Sequence, residues 1–219
     1  MSSLLDDLFV IAYDTEHKGG VKNLAGGVGS AVLLDLTFAG RVGFGGGRLV
    51  ITSGALGDPF LDGVIASLEA EGPATAEGAI AHIGRVHLMH ALEAVEARGR
   101  LRRVGEMGAG DFTIPKLELA DRATLSQARS RLRTAVDAGR ALDARTAALA
   151  VLVHAARAEK RALPDRKPRQ TRKALEAIGS GAWAAGGESE AVGQVLAPVL
   201  AAVMSAPRVP VPRAPLTSI

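Results

Sequence analysis

Apolar residues recur along the chain every three to four positions, in blocks closed by glycine or proline, and that rhythm predicts helices. Leu4, Leu5, Leu8, Phe9, Ile11 and Ala12 make the first block. Ser3 stands before it as a cap, with Asp6 and Asp7 in the first turn, where acids suit the positive end of a helix. Residues 14–24 are polar and Gly-containing, a loop. Residues 24–39 predict a second helix, weighted by Leu33, Leu34, Leu36 and Phe38 and stopped by Gly40. Residues 41–51 change period: two short β-like pieces flank a glycine run, which predicts a hairpin. Residues 58–70 open with Asp58 as cap and Pro59 as first helical residue. Residues 75–98 hold one or two helices, the second from Ile83 to Arg98, with Val86, Met89, Leu92 and Val95 on one face.

The pattern then recurs. Gly99-Arg100-Leu101 leaves a helix as Gly40-Arg41-Val42 does, and a second hairpin follows, turning at 105–110 before Phe112-Thr113-Ile114. This is either a weak internal duplication or a shared way of leaving a helix. Residues 122–138 predict a basic helix. Asp143 caps the next, 144–158, which is apolar enough to sit centrally. Residues 160–170 carry Pro164 and Pro168 and predict a loop, 171–178 a helix, 179–187 a loop around Trp183, and 188–205 a last helix disturbed by Pro198. The expected fold is mainly α: a single compact helical domain over 1–206 with short β-hairpins. A tail over 207–219 with four prolines should be extended.

Composition narrows this reading. The 219 residues include 40 alanines, which favour closely packed helices, and 3% aromatics, which argues against a β-sandwich. With no cysteine, disulfides, thiolate catalysis and cysteine metal sites are excluded. No run approaches the length of a membrane span. The start, Met-Ser-Ser-Leu-Leu-Asp-Asp, is acidic where a secretory leader is basic. The expected location is cytoplasmic, in solution or peripheral on the cytoplasmic face of a membrane.

Net charge is only +3, but it is unevenly spread. Residues 1–80 hold 10 acids and 4 bases, a local −6. Residues 122–173 hold 14 bases and 4 acids, a local +10. Such a positive segment suits lipid headgroups, nucleic acid or an acidic protein, with a solvated helical face as the plain alternative.

Candidate chemistry is sparse. The glycines at 43–47 precede Arg48 and a β-like run, not the Lys-Ser/Thr of a phosphate loop. Gly26-Gly27-Val28-Gly29-Ser30 opens a helix and offers backbone N–H groups to an anion, without a strand before it. His17, His82, His87, His90 and His154 form no metal signature, although His87 and His90 share a helix face. No serine lies in a nucleophile elbow and no acid pair reads as catalytic. Neither an enzyme, a cofactor nor a metal is expected. The arginines carry more. Arg85, Arg129, Arg131 and Arg133 are the candidate headgroup ligands, because a guanidinium binds phosphate through several donors at once. Met107 and Phe112 of the second hairpin are the candidate membrane-contacting residues. Asp143 and Arg145 are a candidate structural cap and ion pair.

Several stretches resemble one known family in their order: 4–12 (LLDDLFVIA), 31–42 (AVLLDLTFAGRV), 92–101 ending in Arg98-Gly99-Arg100-Leu101, and 143–155 (DARTAALAVLVHA). Together they resemble the Golgi phosphoprotein 3 family, the GPP34 domain, in a bacterial, actinobacterial-like version, over roughly residues 3–205. The resemblance implies a compact, mostly helical domain with short hairpins. It also implies a peripheral protein that binds phosphatidylinositol 4-phosphate and holds glycosyltransferases by their cytoplasmic tails. The family's lipid pocket uses a tryptophan, an arginine near the start of the first apolar helix, and two arginines at i,i+3 before the second hairpin. Those positions fall here near Gly20, on Gly29, and on Arg85 and Leu88. The second hairpin is implied in self-association and membrane contact.

The expected function is therefore non-enzymatic, peripheral binding of anionic phospholipid, phosphatidylinositol 4-phosphate-like, with an adaptor role towards an acidic or membrane-protein partner and self-association as companions. A soluble helical scaffold for another protein is the alternative. A winged-helix DNA binder is a third reading, weakened by Glu93 and Glu96 on the helix before the second hairpin.

Overall fold

A computed structural model describes residues 2–16, 21, 23–45, 48–52, 54–109, 112–179 and 200–204. The elements run α1 (Leu4–Ala12), α2 (Leu24–Phe38), β1 (Val42–Gly45), β2 (Arg48–Ile51), α3 (Pro59–Glu71), α4 (Ala76–Val86), α5 (Leu88–Ala97), β3 (Leu101–Ala109), β4 (Phe112–Leu119), α6 (Arg122–Ala138), α7 (Ala144–Ala156), α8 (Glu159–Ala162) and α9 (Pro168–Ala177). The fold is mainly α, and its only sheets among the described residues are two antiparallel hairpins, β1–β2 and β3–β4. The expected tail over 207–219, Trp183 with most of its loop, and Pro198 lie outside the described residues. Residues 200–204 are helical, as expected there.

The caps read from the sequence are in place. The Ser3 hydroxyl accepts the Asp6 N–H at 3.0 Å. Asp58 caps α3 through the N–H groups of Phe60 and Leu61, with Pro59 next to it. Asp143 accepts the Thr146 N–H at 2.7 Å and also its hydroxyl. Such a cap stabilises a helix by about 1 kcal/mol.

Several boundaries differ from expectation, among them the second hairpin, where β3 runs to Ala109 through most of the turn expected at 105–110. The helix expected from Ile83 to Arg98 is broken at His87 (φ −107°, ψ 7°), which ends α4 and begins α5. Helix α7 stops at Ala156, because Arg157 turns left-handed (φ 55°) and its N–H closes onto His154. Within the expected loop 160–170, α8 forms one turn and Pro168 opens α9, its missing N–H costing nothing at that position.

The helix–Gly–Arg exits share one geometry. Gly40 and Gly99 have φ 68° and 71°, Arg41 N–H bonds to Leu36 O, and Arg100 N–H bonds to Val95 O. Gly139 and Arg140 close α6 likewise, with no hairpin following. The recurrence is thus a way of ending a helix, the Schellman pattern that glycine permits.

Two helices occupy the middle. In α7 every residue from Thr146 to Val153 is buried, and it contacts α1, α2, α6 and α9. In α1 every residue from Leu4 to Ile11 is buried, Asp6 and Asp7 included. The two acids are therefore not solvent-facing first-turn charges. Asp6 accepts from Arg98 Nε at 2.9 Å and Arg100 Nε at 3.3 Å, while Asp7 pairs with Arg131. Burial pushes the Asp7 carboxyl upward, and the Arg131 charge opposes that shift.

A third buried acid ties α2 to α1. Asp35, in the middle of α2, accepts the N–H groups of Leu4 and Leu5 at 3.0 and 3.1 Å and so caps α1 from outside. Arg145 lies 3.7 Å away and stacks over Phe38. Burial nevertheless lifts the Asp35 pKa to about 6. A carboxyl raised in the folded state holds a proton there that the unfolded chain has lost, so between roughly pH 4 and 6 this group's contribution grows as pH falls. Lowering the pH from 7 to 5 should stabilise the wild type relative to Asp35→Asn by about 1 kcal/mol. Denaturant unfolding of both proteins at the two pH values measures this, and an equal pH response in both would refute it.

Candidate functional site

Arg85 lies in the last turn of α4 with its side chain exposed. It has no hydrogen bond or ion pair among the described residues. Its neighbours Val86 and Met89 are 45% and 46% exposed, unusual for large apolar side chains. The break at His87 turns the chain between them. A free guanidinium flanked by exposed apolar groups thus projects from the α4–α5 corner. Leu88, three positions on, packs against the core instead.

The position of the family's helix-start arginine has another role. A Cβ built on Gly29 would lie under 3.0 Å from the Ile80 carbonyl, and one on Gly84 under 3.0 Å from that of Ala25. Helices α2 and α4 meet backbone to backbone through these two glycines. The run 26–30 lies within α2, buried throughout. It is a buried helix-packing surface, which leaves an anion no open approach to it. Gly20 lies outside the described residues.

The other headgroup candidates are engaged within the chain and form no shared patch. Arg129, its side chain 15% exposed, pairs with the buried Asp14 and donates to Arg161 O. Arg131 pairs with the buried Asp7. Arg133 pairs with Asp165 at 3.1 Å on the surface. These three follow α6 onto different sides, and their acids come from α1, the segment after it, and the α8–α9 link. Asp143 and Arg145 do act structurally, as cap and as ion pair to Asp35.

Met107 pairs in register with Ile114, and Phe112 with Ala109, at the far end of the β3–β4 hairpin. Their side chains lie outside the described residues. Lower on β3, Val104 is exposed, and Arg102 and Arg103 pair with Glu118 and Glu96. Glu96 and Glu93 give the helix before this hairpin an acidic side, unlike a DNA-recognition helix.

A groove that sequence reasoning missed lies between α3 and α5. Its cavity of about 690 Å³ is lined by residues including Phe60, His87, His90, Glu93, Ala94 and Arg98. A smaller cavity of about 180 Å³ shares Asp58, Phe60 and Arg98 with it and reaches Asp6 and Asp35. His82, beside His87, bonds Ser67 at 2.7 Å, but His87 Nε2 is buried without a partner. The i,i+3 spacing of His87, His90 and Glu93 was a visible signal for this face. Among the described residues no group of three or more His, Asp or Glu is placed to hold a metal ion, and no helix is long and apolar enough to cross a membrane.

Compared with known proteins, residues 4–195 match the family model described as Golgi phosphoprotein 3 (GPP34). No curated protein matches the chain significantly.

Proposed function

The chain belongs to the Golgi phosphoprotein 3 family, and from that premise we propose that it is a non-enzymatic protein that binds anionic phospholipid headgroups peripherally, on the cytoplasmic face of a membrane. The observation that carries this reading is Arg85, exposed and without an ion-pair partner among the described residues, between exposed Val86 and Met89. A guanidinium reaches a phosphate while the two apolar side chains enter the headgroup boundary, and the two contributions add. Met107 and Phe112, at the far end of the second hairpin, are the candidate residues for a wider contact.

The headgroup is recognised by charge more than by stereochemistry. Gly29 admits no side chain and Leu88 is turned into the core, so Arg85 is the one residue of the family's three arginine positions that is an arginine. Phosphatidylinositol 4-phosphate is then one acceptable anion among several.

Flotation with vesicles at two salt concentrations tests this. Vesicles containing phosphatidylglycerol should retain the protein at low salt and release it at high salt, and neutral vesicles should not retain it. Each basic residue near an anionic surface contributes about 1 kcal/mol, so the charge reversal Arg85→Glu should weaken binding by roughly tenfold or more. At equal surface charge, vesicles with phosphatidylinositol 4-phosphate should do no better than about twofold. Unchanged binding of Arg85→Glu would sink the proposal.

A further inference from the structure

We propose that the groove between α3 and α5 binds a small amphipathic organic cation: a protonated amine on an aromatic or branched apolar body. The cavity, about 690 Å³, has the size of a small-molecule site. Its walls are apolar where Phe60, Ala94 and Ala97 line it, and Gly63 leaves open space opposite.

The charge follows from which polar groups are already engaged. Arg98 is held by Asp6 at 2.9 Å and by Asp58 at 3.5 Å. Asp58 in turn accepts the N–H groups that begin α3. Glu93 has neither hydrogen bond nor ion pair among the described residues, and its carboxylate stands exposed at the groove. His87 is 9% exposed, and its Nε2 is buried without a partner. Burial first, then His90 and His82, hold the His87 ring below its ordinary pKa, so at neutral pH it brings no positive charge. An unanswered carboxylate on an otherwise apolar groove favours a cation carried on an apolar body. An anion of the same shape would meet Glu93 instead.

Three probes of one shape separate these cases: phenethylamine, phenethyl alcohol and hydrocinnamate. Each is titrated into the full chain while the histidine ring protons are followed by NMR. The amine should bind most tightly and hydrocinnamate least, with the shifts at His87 and His90. Glu93→Gln, at an exposed position, should weaken the amine roughly fivefold and leave the alcohol unchanged. Ala94→Trp should fill the groove and abolish binding of all three. The proposal is overturned if hydrocinnamate binds as well as the amine, if Glu93→Gln leaves the amine unaffected, if Ala94→Trp still binds it, or if no millimolar amine moves these signals.

Discussion

Gly29→Ala should destabilise the protein by about 3 kcal/mol, a large share of the stability of a chain this size. One methyl group has that effect because of what it meets. The new Cβ would lie under 3.0 Å from the Ile80 carbonyl, which belongs to the backbone of α4 and cannot rotate aside. The helices must separate, and the buried side chains around Val28, Val32 and Ile83 lose contact with them. Gly84→Ala should act similarly from the other helix, against Ala25 O. Gly63→Ala is the control of opposite sign. It lies within α3 with nothing near its Cβ position, so alanine should stabilise by roughly 0.5–1 kcal/mol. Denaturant midpoints of the three variants decide the matter. A Gly29→Ala protein as stable as wild type would mean that α2 and α4 are not in backbone contact.

Asp6→Ala should have a comparable effect, about 3 kcal/mol. The carboxylate is buried and gathers Arg98 and Arg100, the two residues that flank the Gly99 turn. Removing it takes from each of two guanidiniums its buried carboxylate partner. Both are roughly a third exposed and also touch Asp58 and Asp121, so they recover some solvation, which places the loss at the lower end for a broken buried pair. Asp6→Asn, keeping one acceptor, should lose less. Thermal unfolding of the two variants should give that order, and equal losses would show that hydrogen-bond acceptance, not charge, is immaterial at this position.

Local signals explain why so many elements were legible. Ser3, Asp58 with Pro59, and Asp143 mark their helix starts with groups that act within three residues, and Gly40 and Gly99 mark ends by a single torsion angle. The family was legible too, because the ordered stretches lie within the matched residues 4–195. The His87 break was not, because Val86, Met89, Leu92 and Val95 keep helical spacing across it. Its cause is tertiary: α4 lies along α2 through glycine contacts, while α5 divides its contacts among α1, α2, α3 and β3. The pairing of the candidate arginines was hidden for the same reason. Arginine density pointed to Arg129, Arg131 and Arg133, yet whether a guanidinium is free depends on acids far along the chain: Asp14, Asp7 and Asp165. Arg85, isolated in the sequence, is the one of the four with no ion-pair partner among the described residues. The acids of α1 offered one clue, since an all-apolar block with two aspartates has no side left for water.

That block has a consequence for biosynthesis. Helix α1 leaves the ribosome well before its partners, since its two acids await arginines 92, 94 and 124 residues later. Until α6 has emerged, a nascent chain exposes a nine-residue helix with no wet face, which is too short to persist alone. The domain therefore closes late and around its own beginning, and the growing chain presents an apolar segment that chaperones recognise.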